Sequence, residues 1–201
     1  MFYKIAHIVL GGIFRLLYRL RVTGAENVPK GAALVCVNHS SLADPVLVAL
    51  ALPRKDRPRF MAKSELFRFF GLRWLITALG AYPVDRGASD MAAIRTTLDI
   101  LKRDEKVLIF PQGTRTVGDD EGAAMKNGAA MLAFRSGAPL LPAYLSVGRK
   151  VFLNRIELVF GKPFRAEKLP GKSSEQYEAI ARRLRDEIYA LKSTHGGEGH
   201  P

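Results

Sequence analysis

The sequence offers one histidine and one carboxylate at a spacing that suits acid–base chemistry. His39 and Asp44 lie in a polar turn, with four residues between them, directly after the apolar run of residues 32–37. An aspartate that accepts a hydrogen bond from one ring nitrogen leaves the other nitrogen available to take a proton. The pair therefore predicts a general base, His39, that is oriented by Asp44.

The same turn has a purely structural alternative. Asp44 stands before Pro45, and an aspartate followed by a proline is a favourable way to begin a helix, with Asp44 as the N-cap residue. His39 would then be an ordinary turn histidine. Short motifs also match by chance, so these two residues alone leave both interpretations open.

The segments on either side of this turn indicate the kind of sheet that would position it. Short apolar runs alternate with amphipathic helical segments along the chain, a pattern that predicts an α/β domain with a mixed, largely parallel sheet flanked by helices. In such sheets, sites form at the carboxyl ends of strands. Polar side chains follow three of the predicted strands at their ends: His39 with Asp44, Arg86, and Gln112 with Arg115.

The two arginines and a nearby glycine predict a phosphate site. The guanidinium groups of Arg86 and Arg115 match phosphate oxygens, and Gly113 allows backbone N–H groups to approach an anion closely. Each arginine alone is equally compatible with a weak surface ion pair.

Composition limits the possible partners. The chain has 201 residues, a formal net charge of +12 and 48% hydrophobic residues, which indicates one large domain with an anionic partner. Its basic residues form no dense stripe and no nucleic-acid-binding motif, so membrane and phosphate are favoured over nucleic acid. Cys36 is the one cysteine. A cysteine nucleophile paired with His39 is not expected, because strand alternation places positions 36 and 39 on opposite faces. Cys36 is therefore predicted to be a buried strand residue.

Two further segments have amphipathic or apolar patterns. The pattern of residues 2–20 predicts an amphipathic helix with a cationic face that lies in a membrane interface, or else packs on the domain's own core. Residues 19–23 are expected to pass into a short strand. The expected organisation is a membrane-associating segment 1–21, a catalytic domain 22–192 and a disordered tail 193–201. Residues 63–79 predict a helix broken near Gly71, with apolar side chains mostly in the core or lining a slot for a hydrocarbon chain.

Four blocks of sequence resemble the glycerolipid acyltransferases, and most closely the 1-acylglycerol-3-phosphate acyltransferases. Asn-His-Ser-Ser-Leu-Ala-Asp-Pro at residues 38–45 is similar to the family's His-x4-Asp block. Residues 80–86 resemble the second block, which ends in an arginine. Phe-Pro-Gln-Gly-Thr-Arg at residues 110–115 is similar to the third, and residues 138–142 to the proline-containing fourth.

The resemblance implies a reaction and a location. An acyl group would pass from a thioester, acyl-CoA or acyl carrier protein, to the free hydroxyl of a lysophospholipid acceptor, giving phosphatidic acid. His39 would take the hydroxyl proton while Asp44 holds its tautomer. The acceptor's phosphate would be held by Arg86, Gly113, Thr114 and Arg115. No metal, other cofactor or covalent acyl-enzyme is expected, and the enzyme would be peripheral on the cytoplasmic face of the cell membrane.

One position departs from the family's pattern. Gln112 stands where the family usually has glutamate, and an amide keeps the reach of the carboxylate but loses its charge. Gln112 is expected to contact the acceptor. The change leaves two alternatives open: an acyltransferase for another lyso-lipid, such as a lyso-aminolipid, and a catalytically silent phospholipid-binding protein.

Overall fold

The computed structural model describes residues 18–52, 56, 58–84, 91–115, 124–147, 154–167 and 172–193. Within them, strands and helices alternate and form one mixed sheet with helices on both faces, which confirms the predicted fold class. The strands are β1 (Tyr18–Thr23), β2 (Ala33–Val37), β3 (Arg59–Lys63), β4 (Ala81–Val84), β5 (Lys106–Ile109), β6 (Leu140–Val147) and β7 (Asn154–Phe160). The α-helices are α1 (Asp44–Ala51), α2 (Phe70–Ala78), α3 (Met91–Lys102), α4 (Gly128–Ser136) and α5 (Ser173–Ser193).

The sheet brings the ends of its parallel strands to one edge. The strand order is β1-β7-β6-β2-β5-β3-β4, and the five strands from β6 to β4 run parallel. Strand β7 is antiparallel to β6, and β1 is parallel to β7. The carboxyl ends of the five parallel strands therefore share one edge, here called the site edge. Since β1 runs opposite to β2, the chain also enters β1 at the site edge.

Strand β2 is the centre of the core. All five of its residues have no exposed surface. Val35 and Val37 pack in a cluster with residues of α1, whereas Leu34 and Cys36 pack in a second cluster with residues of α3, α4 and α5. Burial on both faces accounts for the uninterrupted apolar run. Burial also raises the pKa of the Cys36 thiol, so the thiol stays protonated at neutral pH, as expected of a core cysteine.

The first strand begins where the predicted helix passes into the predicted strand. The sequence predicts a helix over residues 2–20 and a short strand over residues 19–23, and in the structure residues from Tyr18 onward form β1 and pair with β7. Leu20 and Val22 pack against the core from this strand, which explains why the alternating pattern prevails there. Residues 1–17, which hold the rest of the predicted helix, and residues 194–201 of the predicted tail lie outside the described residues.

The segment after β3 also differs from its prediction. It forms a 3-10 helix, Ser64–Arg68, followed by α2, and the two meet at Phe69 rather than near Gly71. The expected core placement is wrong for its largest side chains: Phe69 is 66% exposed, Phe70 88% and Trp74 56%. Only part of the segment packs inward, through residues such as Phe67 and Ile76.

A buried lysine at the start of β5 forms an ion pair. The Lys106 side chain is 2% exposed, and its Nζ lies 2.7 Å from Oδ1 of the partly buried Asp56 and 3.0 Å from the carbonyl oxygen of Gly31. An ammonium group taken out of water needs such partners. The pair therefore ties Asp56 to the start of β5.

Removing the carboxylate of this pair is expected to destabilise the domain. Asp56→Ala leaves the Lys106 ammonium buried without its counter-ion, which should lower the free energy of unfolding by about 3 kcal/mol. Glu105→Ala breaks the more exposed pair with Arg103 and should cost at most about 1 kcal/mol. Urea unfolding measures both, and equal losses would contradict the importance of the buried pair.

Candidate active site

The predicted juxtaposition of His39 and Asp44 is present at the site edge. Nδ1 of His39 lies 2.9 Å from Oδ2 of Asp44, and both residues are buried. An ionised carboxylate only accepts hydrogen bonds, so the shared proton belongs to Nδ1. Nε2 of His39 is then the basic nitrogen of the ring, as a general base requires.

The turn wraps its backbone around the aspartate. Oδ2 of Asp44 also accepts hydrogen bonds from the backbone N–H groups of Ser40 and Ser41, each at 2.7 Å. Asp44 is the first residue of α1, and the N-cap is Ala43, which makes no side-chain cap bond. The Asp44 carboxylate therefore folds back onto the turn instead of capping the helix, and the structural alternative does not describe its contacts.

The third sequence block fixes the histidine from the neighbouring strand. Phe110, directly after β5, stacks on the His39 ring with 4.1 Å between ring centroids and 20° between ring planes. Oε1 of Gln112 accepts a hydrogen bond from the His39 backbone N–H at 2.7 Å. Both the ring and the main chain of His39 are thus positioned by residues more than seventy positions later in the chain.

Strand β6 holds the turn from the other side. The Asn38 side chain donates from Nδ2 to the carbonyl of Leu145 at 3.0 Å and accepts at Oδ1 from the Leu145 N–H at 2.7 Å. This pair of bonds imitates the pairing of a strand. It extends the β2–β6 contact by one residue, up to the start of the turn between β2 and α1.

Gln112 has partners inside the protein at both ends of its amide. It is 5% exposed, and its Nε2 donates to the hydroxyl of Tyr189, on α5, at 3.0 Å. The amide thus links the His39 main chain to the last helix. The predicted contact of Gln112 with the acceptor stays a prediction. Tyr189 was not predicted, since its apolar neighbours on α5 mark a packing face and nothing in the sequence pairs it with residue 112.

The remaining predicted phosphate ligands lie at the end of the third block or outside the described residues. Gly113 has a positive φ of 72°, whereas Thr114 and Arg115 are exposed. Arg86 lies outside the described part of the chain. A Cβ on Gly113 would lie 2.8 Å from Cδ of Lys126 and 3.0 Å from its Nζ, so the Lys126 side chain extends across this glycine.

Lys126 is a cation that the sequence blocks do not reveal. Its backbone N–H donates to the carbonyl of Pro111 at 2.9 Å, which places it beside the third block although it precedes α4. In the sequence it follows a polar loop and belongs to none of the four blocks. The fold, rather than any motif, brings its charge to the site edge.

The sequence of the whole region places the chain in a known family. A sequence model described as acyltransferase matches residues 19–146, which is more than half of the chain. The chain belongs to the acyltransferase family. The resemblance carried by the four blocks is thereby confirmed, and the matched region contains the turn between β2 and α1, the third block and Lys126.

Named relatives are similar over much of their length. The 1-acyl-sn-glycerol-3-phosphate acyltransferase of Bacillus subtilis (strain 168) is 32% identical over 95% of this chain and 97% of that protein. An enzyme of the same name from Streptococcus pneumoniae is 32% identical, over 76% of this chain and 58% of that protein. The crystal structure of PlsC, the 1-acyl-sn-glycerophosphate (LPA) acyltransferase of Thermotoga maritima, has a TM-score of 0.73 at 23% identity, covering 99% of this chain and 81% of that one. This last likeness shows a shared fold.

Two general features of the described residues bear on the site. No helix among them combines the length and the apolar character that crossing a bilayer requires. No group of three or more histidine, cysteine, aspartate or glutamate side chains within the same ranges is placed to hold a metal ion.

The Gln112 link predicts a specific kinetic defect. In Gln112→Ala the buried His39 N–H loses its acceptor, a cost of about 1–3 kcal/mol, so kcat of acyl transfer should fall about tenfold or more while the acceptor KM changes little. Gln112→Glu should stay within a few-fold of wild type, because a carboxylate accepts from both His39 and the Tyr189 hydroxyl.

Steady-state kinetics of both variants separate two roles for Gln112, the positioning of His39 and direct contact with the acceptor. Tyr189→Phe is a milder test of the same link. A Gln112→Ala enzyme with unchanged kcat and a raised acceptor KM would contradict the positioning role. It would support direct contact with the acceptor instead.

Proposed function

We propose that this acyltransferase moves a fatty acyl group from a thioester to the free hydroxyl of 1-acylglycerol-3-phosphate, giving phosphatidic acid. The observation that carries the proposal is the buried His39–Asp44 pair at 2.9 Å, in a chain of the acyltransferase family. The names of the relatives from Bacillus and Streptococcus support this acceptor.

The proposed mechanism uses one histidine for two proton transfers. Nε2 of His39 takes the proton of the acceptor hydroxyl while the hydroxyl oxygen attacks the thioester carbonyl carbon. The tetrahedral oxyanion then collapses, the carbon–sulfur bond breaks, and the imidazolium returns its proton to the leaving thiolate. Asp44 stabilises the transient imidazolium through Nδ1 and keeps Nε2 unprotonated at the start of each cycle. No covalent acyl-enzyme enters this scheme.

The acceptor's phosphate would bind to cations at the site edge. The proposed ligands are Arg86, Gly113, Thr114 and Arg115, and the position of Lys126 adds a fifth. The Lys126 side chain lies across Gly113, two residues before the exposed Arg115 in the third block. Cations beside one turn are a favourable setting for a phosphate monoester.

The acyl donor and the membrane location are also part of the proposal. Acyl-CoA and acyl carrier protein are both anionic, so either is attracted to a chain of net charge +12. The amphipathic, cationic pattern of residues 2–17 supports peripheral attachment to an anionic bilayer at its cytoplasmic face. The acceptor and the product are lipids and would stay in that bilayer.

The contacts of Gln112 weigh against the silent lipid-binding alternative. That alternative treats the missing glutamate charge as the loss of a catalytic group. Both ends of the Gln112 amide are instead used within the protein, on His39 and Tyr189, so a neutral side chain does the positioning that this arrangement requires. The alternative predicts vesicle binding without turnover with any thioester donor.

Loss of the general base provides the direct test of the proposed reaction. His39→Ala should lower kcat for acyl transfer to 1-acylglycerol-3-phosphate by about 10²–10⁴-fold, and Asp44→Asn should also lower it, because the amide disturbs the tautomer of His39. Ser40→Ala is a matched control: its side chain is exposed and its backbone N–H still donates to Asp44. Equal activity of His39→Ala and Ser40→Ala would contradict the assignment.

The phosphate site predicts a second, distinct defect. Arg115→Ala and Lys126→Ala should each raise the KM for 1-acylglycerol-3-phosphate about tenfold or more, since a charge-assisted hydrogen bond contributes about 1.5–3 kcal/mol. The KM for the acyl donor should change little. Arg103→Ala, at the opposite edge of the sheet, should leave both constants unchanged. If neither Arg115→Ala nor Lys126→Ala affects the acceptor KM, the phosphate is bound elsewhere or the acceptor lacks one.

A further inference from the structure

A group of large apolar side chains is exposed at the site edge. Leu42, in the turn between β2 and α1, is 75% exposed, and Phe69, Phe70 and Trp74 are 66%, 88% and 56% exposed. We call these four residues the apolar rim. Strand β3 ends at the site edge, so the 3-10 helix after it and the start of α2 lie there, as does the turn that follows β2.

The rim is held outward by residues that pack behind it. Phe67 and Ile76, on either side of the exposed aromatic residues, pack against the core cluster that also contains residues of α1. The outward face of α2 is therefore a fixed feature of the fold. Adjacent exposed phenylalanines on an ordered element are uncommon in soluble proteins and mark a surface that contacts something apolar.

The charges around the rim indicate what that contact is. Lys63, Arg68 and Arg73 are exposed among the aromatic residues, and Glu65 is the one acidic residue in the segment 63–79. Aromatic and cationic side chains in alternation suit the interface of an anionic bilayer, where the rings enter the acyl boundary and the cations meet head groups. A second copy of this chain would instead bring like charges together.

The direction of the strands places the rim at the same edge of the sheet as His39 and the start of β1. Residue 18 enters β1 at this edge, although β1 and β3 lie near opposite ends of the strand order. A bilayer that lies along the site edge and contacts Phe70 would therefore also face the turn between β2 and α1 and the start of β1.

We propose that the apolar rim inserts into the interface of an anionic phospholipid bilayer and docks the site edge onto it. The proposal rests on the lipid acceptor of the proposed function. It gives that function a route: the lyso-lipid moves laterally from the bilayer to His39 without leaving lipid, while the acyl thioester arrives from water. The rim acts in addition to the N-terminal segment, as a second contact that sets the orientation of the domain.

Trp74 is the single tryptophan of the chain and reports on this contact directly. On addition of vesicles of phosphatidylglycerol and phosphatidylcholine, its emission should shift to the blue, and quenching by aqueous acrylamide should fall severalfold. Vesicles of phosphatidylcholine alone should have a smaller effect. If the protein sediments with anionic vesicles while Trp74 stays as accessible to acrylamide as in buffer, the proposal is wrong. A blue shift that appears without vesicles as protein concentration rises would also overturn it, in favour of self-association.

A matched pair of variants of the full chain tests the two phenylalanines. Phe69→Gln with Phe70→Gln should lower partitioning to anionic vesicles about tenfold or more, because two apolar side chains no longer enter lipid. Phe69→Leu with Phe70→Leu keeps the apolar character and should stay within about threefold of wild type. Equal partitioning of the two double variants would overturn the proposal.

Two readouts separate this proposal from the proposed function. Both double variants should keep the thermal unfolding midpoint of wild type, since the replaced side chains are exposed. A much lower midpoint for the Gln pair alone would mean that the rim covers part of the protein itself, and it would overturn the proposal. With a short-chain acceptor dissolved in water, both should acylate at the wild-type rate. Absence of turnover in wild type, with normal vesicle binding, would defeat the proposed function and leave the docking surface standing.

Discussion

One carboxylate oxygen organises the turn between β2 and α1. Oδ2 of Asp44, without exposure to solvent, accepts hydrogen bonds from the N–H groups of Ser40 and Ser41 and from the ring of His39. A buried carboxylate is costly unless it is well supplied with donors, so the turn must close around it. Closure fixes the backbone path, the start of α1 and the tautomer of the histidine together. The same contacts thus stabilise the turn and orient the ring of His39.

The sheet supplies the rest of the positioning. Strand β2 lies between β6 and β5, and the turn after it is tied to both neighbours, through Asn38 on one side and Phe110 with Gln112 on the other. The parallel arrangement is what brings these ends to one edge. Gln112 extends the network to α5 through Tyr189. The central strand, the turn and the last helix therefore form one rigid support, beside which cations and an apolar surface face outward.

Much of this arrangement could be predicted from the sequence, and the omissions share a cause. The apolar run of β2 and the spacing of His39 and Asp44 are local patterns, and they identified the central strand and the pair. Lys126 and Tyr189 reach the site through contacts between distant segments, for which a single sequence carries no signal. The run 63–79 is predicted to lie mostly in the core or along a hydrocarbon slot, because hydrophobicity alone does not reveal which apolar side chains of a segment are buried. The strand expected over residues 19–23 begins one residue earlier, at Tyr18, because pairing with β7 extends it.

The central claim is that Asp44 holds the proton of His39 on Nδ1 and leaves Nε2 as the base. Nitrogen NMR of the ¹⁵N-histidine-labelled protein, with His39→Ala used to assign the signal among four histidines, measures this tautomer directly at a pH where the ring is neutral. The account predicts a protonated Nδ1 and an unprotonated Nε2 for His39, and conversion to a different tautomer mixture in Asp44→Asn. A neutral His39 ring with its proton on Nε2 would contradict the account.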